Sequence, residues 1–487
     1  MNWLLAASCA VAAVPAGLRW LRVAQREHYL PWEVTRFAVR WWRNGVVNRT
    51  LDLVGLLGVI LTLFHPMWGL LVPLAQVGPI GLSVRGVTSP LAWTSRLRRL
   101  AVVSAALLVA AFVAGAALAA PLLIVVPLYL LYLLVDLTLV ALAPVERRLG
   151  GRWVERAASK LRSLGPDVVA ITGSYGKTTT KSYVAHLLSG SRRVVASPAS
   201  FNNRMGLARA INETLTPGTD VFVAEMGTYG PGEIADLCEW IPPKVAAMVS
   251  LGPVHLERFG TLEAIAQAKS EILDRAEVGV ICVDYPHLAA IAAERKETMR
   301  IVEVSARDGI VVGDEKVIDA PEGVFAVNLA VALGICVALG IEPGEVIPRV
   351  ADLPMTEHRQ SVTTGGSGFT IVDDTFNSNP DGARSALDVL ARAGAGGRTA
   401  VITPGMVELG SVQDEENRAF AAEAAARVDH FVIVGRTNRR SLFEGSANGK
   451  ASVTVVESRD EAVEWARSRL GPGDAVLYEN DLPDHYP

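Results

Sequence analysis

The apolar positions of this chain form long, nearly unbroken tracts before about residue 145 and short, patterned runs after it. The tracts lie at 3–21, 51–83 and 101–143, and they contain almost no charged residues. A helix needs about 20 apolar residues to cross the hydrocarbon layer of a membrane. The pattern therefore predicts an α-helical membrane domain at 1–150, followed by a globular α/β part.

Two of the tracts are too long for one span, and each is interrupted by proline. The breaks fall at His65-Pro66 and at Ala120-Pro121, and each tract is predicted to form a helical hairpin because proline breaks or kinks a helix. A shallow re-entrant pair is the alternative for 51–83. With the helix at 3–21, about five membrane helices are expected. A cleaved signal peptide is disfavoured there, because the basic residues follow the apolar stretch and do not precede it.

Basic residues gather in three clusters that flank the tracts. Positive residues stay on the cytoplasmic side of a membrane, and only an arrangement with the N-terminus outside places all three clusters there. We therefore expect a multi-pass membrane protein, in contact with the lipid bilayer, with its globular part in the cytoplasm. The clusters are Arg22, Arg26, Arg36, Arg40, Arg43 and Arg49; Arg85, Arg96, Arg98 and Arg99; and Arg147, Arg148, Arg152, Arg156 and Lys160.

Asp136 is the lone acidic residue of the third tract. An acid inside a membrane span suggests a functional site. Its position near the cytoplasmic end allows a simpler interpretation, in which the carboxylate reaches water or pairs with an arginine.

Composition excludes some functions for the globular part. The net charge of −4 argues against a nucleic-acid-binding protein. The four cysteines have no metal-ligand spacing, which disfavours zinc sites and predicts buried, reduced thiols. The length of 487 residues fits roughly three domains.

A phosphate-binding loop is predicted within 167–181, DVVAITGSYGKTTTK. A β-rich run ends at Ile171, two glycines open a turn, and the pattern becomes helical after Lys177. In such a loop, backbone N–H groups and the helix N-terminus face an anion. Lys177 would neutralise the terminal phosphates of ATP, and Thr178 would hold Mg²⁺. Ile171 stands where the general pattern has a further glycine. The residues predicted to bind ATP here are Gly173, Ser174, Tyr175, Gly176, Lys177, Thr178 and Thr179.

The loop resembles the shortened phosphate loop of the Mur ligases and folylpolyglutamate synthetases, and later segments resemble the Mur ligases in the same chain order. The longest runs from Ile371 to Asp381, IVDDTFNSNPD, and is similar to a motif of the Mur ligases that add D-alanyl-D-alanine. The resemblance covers about 165–480. It implies a central P-loop parallel-sheet ATPase domain at 151–354 and a C-terminal Rossmann-like ligase domain at 355–487.

The resemblance implies a catalytic centre with ATP and two Mg²⁺ ions. Glu225 ends an apolar strand, where ligands bind in open α/β sheets, and it matches the family's Mg²⁺-binding glutamate. His255, in HLERFG, would be a ligand of a second Mg²⁺, although by residue type it is an ordinary loop histidine. Lys269, in AKSEI, matches a lysine that several relatives carry in carbamylated form, with an exposed helix lysine as the alternative. The implied catalytic residues are Lys177, His255, Lys269 and Arg359.

Further positions match by the same resemblance. Asn328 corresponds to an adenine-binding asparagine, Asp374 to a ribose contact, and Arg359 to a hinge arginine that reaches the γ-phosphate. Val324 and Phe325 stand where relatives usually have His-Asn, so the adenine pocket is expected to differ. The asparagines implied in substrate binding are Asn202 and Asn203, and, at the incoming amine, Asn377 and Asn379.

The sequence therefore predicts an ATP-dependent acid–amino-acid ligase that works through an acyl phosphate. The expected partners are a carboxylate acceptor, namely a peptidoglycan precursor of the cell wall, and an amino acid or dipeptide that supplies the amine. Any membrane partner protein is unidentified. No UDP-sugar-binding domain is visible at 1–150, which favours a lipid-linked acceptor. The alternatives are the same chemistry on another acid, such as a lipid-linked muropeptide or a poly-amino-acid, and a membrane transporter or sensor that hydrolyses ATP.

Overall fold

The computed structural model divides into two compact units. The first comprises Met1–Leu149 with Leu482–Pro487, and the second comprises Gly150–Asp481. The residues that the structure describes are 1–43, 45–84, 91–321, 323–354, 360–364, 368–375, 378–482 and 486.

The first unit is built from helices. The breaks predicted at His65-Pro66 and Ala120-Pro121 both fall between helices, and Pro66 opens a short 3-10 turn that the His65 side chain caps. The helices are α1 (Asn2–Arg26), α2 (Glu33–Arg43), α3 (Gly45–Leu61), α4 (Leu71–Ala75), α5 (Ser95–Ala117), α6 (Leu122–Tyr129) and α7 (Leu131–Leu164), of which residues 131–149 belong to this unit.

Two described helices, α1 and α5, are long and apolar enough to cross a membrane. The bent pairs α2–α3 and α6–α7 would raise this number to four if each pair formed one span. The second half of the tract at 51–83 forms only a short 3-10 turn and α4, and the number of about five membrane helices stays a prediction. The apolar side chains exposed on α1 and α5 include Trp3, Leu4, Val11, Val14, Val102, Leu107, Val109 and Val113.

Asp136 caps a helix inside the first unit. Its two carboxylate oxygens accept the backbone N–H groups of Trp32 at 3.0 Å and Thr35 at 2.7 Å, at the start of α2. A carboxylate at a helix N-terminus satisfies unpaired N–H groups and complements the helix dipole. The side chain is fully buried, so the interpretation in which it reaches water is wrong.

The second unit opens with an eight-stranded sheet in the order β2-β3-β1-β4-β5-β6-β7-β8. Strands β1 to β6 are parallel, and β7 and β8 extend the sheet in antiparallel fashion. The strands are β1 (Asp167–Thr172), β2 (Val194–Ala196), β3 (Val221–Glu225), β4 (Val245–Met248), β5 (Val278–Cys282), β6 (Arg300–Ser305), β7 (Ile310–Val312) and β8 (Glu315–Ile318). The helices are α8 (Lys177–Leu188), α9 (Arg204–Thr214), α10 (Glu233–Trp240), α11 (Leu256–Phe259), α12 (Leu262–Ser270), α13 (Pro286–Arg295), α14 (Ala326–Ala338) and α15 (Pro343–Val346).

The central strands of this sheet are apolar throughout because both faces are covered. In β1, Val168 and Ala170 enter the core on one face, whereas Val169 and Ile171 enter the core on the other. The last residue of β3, Glu225, therefore lies at the carboxyl edge of the sheet, where β1 also ends. Cys9, Cys238, Cys282 and Cys336 are all buried free thiols, as predicted.

A six-stranded sheet follows, in the order β13-β12-β11-β14-β10-β9. All its strands are parallel except β9, which pairs antiparallel with β10. The strands are β9 (Ser361–Thr364), β10 (Thr370–Asp374), β11 (Thr399–Thr403), β12 (His430–Val434), β13 (Ser452–Val456) and β14 (Ala475–Glu479). The helices are α16 (Pro380–Ala393), α17 (Gln413–Arg427), α18 (Arg439–Ser446) and α19 (Arg459–Arg469). The two parallel α/β sheets agree with the predicted fold class.

Candidate active site

The predicted phosphate loop lies between the end of β1 and the start of α8. Gly176 precedes the helix with a φ of 74°, a left-handed conformation that glycine adopts without strain. A Cβ atom at this position would approach Asn328 Nδ2 to 2.3 Å. The turn therefore requires glycine, and it leads directly to the N-terminal N–H groups of α8, which suit an anion.

The segment that follows β4 forms hydrogen bonds with the phosphate loop. The Ser174 N–H donates to the Ser250 carbonyl oxygen at 3.0 Å, and the Tyr175 N–H donates to Ser250 Oγ at 2.8 Å. The Ser174 hydroxyl donates to the Gly252 carbonyl oxygen at 3.1 Å. Tyr175 packs against Gly252, and its buried hydroxyl finds no hydrogen-bond partner in the described part of the chain. These contacts fix the loop before any ligand arrives.

Asn328 fixes the same loop from α14. Its Nδ2 donates to the Gly176 carbonyl oxygen at 2.8 Å and to Thr180 Oγ1 at 2.9 Å. The structure thus gives its amide a role in shaping the loop, and the adenine contact stays a prediction. Thr179 is buried within α8, next to this anchor.

Two lysines converge on one carbonyl group of the loop. Lys177 Nζ donates to the Gly173 carbonyl oxygen at 2.8 Å, and Lys269 Nζ, from α12, donates to the same oxygen at 3.2 Å. Lys269 is buried, so the alternative of an exposed helix lysine is wrong. Burial, and then the charge of Lys177, hold the pKa of Lys269 well below its usual value. A lowered pKa favours the neutral amine, which is the form that reacts with carbon dioxide to give a carbamate.

Glu225 is the buried acid of the site. One of its oxygens, Oε2, accepts the Thr178 hydroxyl at 2.9 Å and Lys181 Nζ at 3.0 Å, and Oε1 accepts Asn202 Nδ2 at 3.1 Å. Burial alone would raise the pKa of Glu225, but the charges of Lys181 and Lys177 outweigh it and lower that pKa. The carboxylate therefore stays ionised in a site that water scarcely reaches.

We expect Lys181→Met to destabilise the fold by about 3–5 kcal/mol, because it leaves Glu225 as a buried charge without its main partner. The variant should also raise the pKa of Glu225. Chemical unfolding of the full chain measures the first effect. Lys244→Met is the matched control, since the Lys244–Asp167 pair has a similar length of 2.9 Å but is partly exposed; its loss should be below about 1 kcal/mol. Equal losses in the two variants would contradict the assignment.

The arrangement around Glu225 suits Mg²⁺. The Thr178 hydroxyl and Glu225 Oε2 lie 2.9 Å apart, the separation of neighbouring oxygen ligands in an octahedron with bonds of about 2.0–2.1 Å. Both are hard oxygen donors, which Mg²⁺ prefers. Across the described residues there is no group of three or more His, Cys, Asp or Glu side chains placed to hold a metal ion.

His255 contacts the domain that contains the six-stranded sheet. Its Nδ1 lies 2.5 Å from Glu408 Oε2, and its ring meets Tyr229 edge to face at 5.1 Å. Close by, a Cβ on Gly410 would come within 3.0 Å of the Glu257 backbone nitrogen. The loop that carries the predicted second-metal histidine thus contacts the loop that follows β11, and the role of His255 as a metal ligand stays a prediction.

The remaining predicted residues lie at helix starts and at a strand end. Asn203 Oδ1 accepts the Gly206 N–H at 2.9 Å and caps α9, and Asn379 Oδ1 accepts the Gly382 N–H at 2.9 Å and caps α16. Asp374 ends β10 and is buried at the carboxyl edge of the second sheet. Arg359 and Asn377 lie outside the described residues.

Known proteins share both domains. Residues 171–328 match the Mur ligase middle domain, and residues 358–478 match the Mur ligase glutamate ligase domain. A UDP-N-acetylmuramoyl-tripeptide–D-alanyl-D-alanine ligase of Mycobacterium leprae is 32% identical over 382 residues, which are 67% of this chain and 73% of that protein. The chain belongs to the Mur ligase family. The ligase of the same description from Bacillus subtilis is 25% identical over 346 residues, 66% of this chain and 75% of that protein.

Solved structures of the family share the fold of this Mur ligase. MurF from Acinetobacter baumannii aligns with a TM-score of 0.59 at 22% identity, covering 68% of this chain and 77% of that chain. The MurF ligase from Thermotoga maritima in complex with ADP aligns with a TM-score of 0.56 at 25% identity, covering 68% of this chain and 80% of that chain. The protein is an ATP-dependent ligase, and the hypothesis of a transporter or sensor is set aside.

Three residues of this Mur ligase site were missed by the sequence argument. Lys181 lies one helical turn after Lys177, on the same side of α8, and that spacing could have indicated a second cation at the loop. Ser250 and Glu408 lie in segments that resemble the Mur ligases, but neither residue was given a role in the site. Their partners Tyr175 and His255 are far away along the chain.

Proposed function

We propose that this Mur ligase joins an amine, such as D-alanyl-D-alanine, to the carboxylate of a peptidoglycan precursor at the cytoplasmic face of the cell membrane. The observation that carries the proposal is the phosphate loop, which leads into α8 at Lys177, with the Thr178–Glu225 pair beside it. The relatives that share both domains support the choice of substrates, since those relatives are named for the addition of D-alanyl-D-alanine to a UDP-linked muramoyl tripeptide.

In the proposed reaction, an oxygen of the acceptor carboxylate attacks the γ-phosphorus of ATP. The bond between that phosphorus and the bridging oxygen breaks, ADP leaves, and an acyl phosphate forms. The neutral amine nitrogen attacks the acyl carbon, the carbon–oxygen bond to phosphate breaks, and the nitrogen gives up one proton to water. The amide and inorganic phosphate are then released. Phosphoryl transfer of this kind depends mainly on positioning and on charge neutralisation.

The chain supplies both requirements from its own residues. The N-terminal N–H groups of α8 and the Lys177 ammonium face the transferred phosphate, and the contacts of Ser174 and Asn328 keep the loop from shifting. Thr178 and Glu225 would hold Mg²⁺, which neutralises phosphate charge when bound. Lys181 keeps Glu225 ionised for that purpose.

We propose a multi-pass membrane location, with the catalytic domains in the cytoplasm. The apolar side chains exposed on α1 and α5 support contact with lipid, and the arginine clusters support the orientation. A lipid-linked acceptor is the second candidate for the substrate. It is favoured by the same exposed apolar surface, which would hold the enzyme where such an acceptor resides.

The decisive experiment is phosphate release by the full chain in lipid nanodiscs. UDP-linked and lipid-linked muramoyl tripeptides are supplied in turn, each with and without D-alanyl-D-alanine. Phosphate release that requires both the acid and the amine supports the ligase, and the better acceptor decides between the two candidates. ATP hydrolysis that is indifferent to both substrates would overturn the proposal.

A further inference from the structure

Two residues with left-handed backbones meet where the two α/β domains contact each other. His255 precedes α11 with a φ of 62°, and Glu408, in the loop after β11, has a φ of 65°. Neither is glycine, so each conformation costs free energy that the surrounding structure must offset. His255 Nδ1 lies 2.5 Å from Glu408 Oε2. Glycine at either position would relieve the backbone, but it would remove this contact.

The loop that carries Glu408 is braced by the two helices that follow it. Asn417, from α17, accepts the Met406 N–H through Oδ1 at 2.8 Å, and its Nδ2 donates to the Met406 carbonyl oxygen at 2.9 Å. Asn438, which precedes α18, donates through Nδ2 to the Pro404 carbonyl oxygen at 3.0 Å. Glu408 is therefore presented to the other domain from a loop whose backbone is fixed by buried hydrogen bonds.

The opposite side of the contact is also built. The His255 ring meets Tyr229 edge to face at 5.1 Å, and the Arg258 guanidinium lies 5.0 Å from the centre of the same Tyr229 ring. Beside it, a Cβ atom on Gly410 would come within 3.0 Å of the Glu257 backbone nitrogen. Backbone thus packs closely on backbone at this point, and the contact between the two domains extends beyond one pair of side chains.

The same domain approaches the phosphate loop. Burial raises the pKa of Tyr175, the charges of Asp381 and Glu416 raise it further, and the charge of Arg384 opposes them. Interactions between charges fade beyond about 10 Å in salt solution, so α16 and α17, which carry these three residues, lie near the loop. A shift of this domain would therefore expose the place where the phosphates of ATP are expected.

We propose that Glu408 is a positioning residue, and that its contact with His255 seats the domain of the six-stranded sheet against the domain of the phosphate loop. The inference rests on the proposed function, in which an acyl phosphate must be kept from water until the amine arrives. Without the Glu408 carboxylate, the two domains would separate more often. The oxygen of a water molecule would then attack the acyl carbon, and the carbon–oxygen bond to phosphate would break. One proton of the water passes to phosphate and one to solvent, and the acceptor carboxylate is regenerated without an amide.

The first test is the number of phosphates released per amide formed by the full chain. It uses D-alanyl-D-alanine and the muramoyl tripeptide, UDP-linked or lipid-linked, that gives the faster phosphate release. Glu408→Ala should raise this number by at least about twofold, because a site that opens admits water. Glu408→Gln keeps an acceptor oxygen for the imidazole N–H and should restore most of the coupling. Glu263→Ala is the matched control: it removes a His287–Glu263 pair of 3.1 Å that lies within one domain, and it should leave the number unchanged.

The second test does not depend on turnover. Spin labels on Ala293→Cys and Ala422→Cys, at exposed positions of α13 and α17, report the distance between the two domains by double electron–electron resonance. Glu408→Ala should broaden the distribution of distances and shift it to longer values. Glu408→Gln and Glu263→Ala should give the wild-type distribution.

The outcomes separate the inference from the proposed function. If the wild type shows no amine-dependent turnover, the proposed function fails, and the distance measurement alone decides whether Glu408 seats the domain. If the wild type is active but Glu408→Ala leaves both the coupling and the distances unchanged, only the inference fails. An equal loss of coupling in Glu263→Ala would also overturn the inference, since it would show a general loss of stability. Should Glu408→Ala not fold, Glu408→Gly, which suits the left-handed backbone, carries both measurements.

Discussion

Lys177→Ala is expected to abolish measurable ligase turnover, a fall of at least about 10³-fold. The Lys177 ammonium is the loop cation that would face the transferred phosphate in the proposed reaction, and its Nζ donates to the Gly173 and Ser174 carbonyl oxygens of the loop itself. Removing it leaves the phosphate charge without a fixed counter-charge in a site that excludes water. Phosphate release in the presence of acceptor and amine measures the effect.

The variant should fold as the wild type does, because the loop keeps its contacts through Ser250 and Asn328. Lys296→Ala is the matched control: Lys296 is an exposed lysine of the same domain, paired with Glu303, and its loss should leave turnover within about twofold of the wild type, since exposed pairs contribute little. Undiminished amide formation by Lys177→Ala would remove the basis of the phosphate-loop assignment.

Lys269→Met is expected to lower turnover by roughly 10–100-fold, the usual cost of losing a group that orients a metal site. If the lysine acts as a carbamate, wild-type activity should also fall in buffer stripped of carbon dioxide and recover on addition of bicarbonate. The variant should show no response to bicarbonate. Wild-type activity that is indifferent to carbon dioxide would leave Lys269 as an amine and reject the carbamate.

Lys269 is expected to make the stability of the folded protein depend on pH. Its pKa in the folded protein lies well below the usual 10.5, so between these two values the unfolded chain binds more protons than the folded one. Stability therefore rises with pH across that window. In buffer free of carbon dioxide, Lys269→Met should be more stable than the wild type below the window, and this gain should disappear above pH 10.5. A gain independent of pH would contradict the lowered pKa.

Local patterns in the sequence predicted the parts of the site that depend on local structure. The β-rich run before Gly173, the turn and the start of α8 follow from residue order alone, and so does the placement of Glu225 at a strand end. The partners of Glu225 did not follow, because Lys181 and Asn202 reach it only after β1, β3 and α8 pack together. Contacts between segments that are distant in sequence do not produce a periodic pattern of residue types.

Asn203 and Asn379 stand at sequence positions that are typical of helix N-caps. Asn203 and Asn379 each precede a glycine by three residues, at the start of a helical pattern, and an asparagine there commonly accepts the backbone N–H three residues on. Both residues make that bond.

In the first unit, Pro66 and Pro121 predicted where helices break, whereas Pro15, Pro127 and Pro144 lie inside helices. The prolines could not predict that the chain after Pro66 would continue only as a short 3-10 turn and the five-residue α4.

The burial of the cysteines has a practical consequence for measuring motion at the site. Burial raises the pKa of Cys238, Cys282 and Cys336 to about 12, and only the thiolate reacts with alkylating reagents. A reporter group attached through maleimide at neutral pH would therefore bypass these positions. A fluorophore or spin label on a newly introduced surface cysteine could then follow nucleotide binding without replacement of the native thiols.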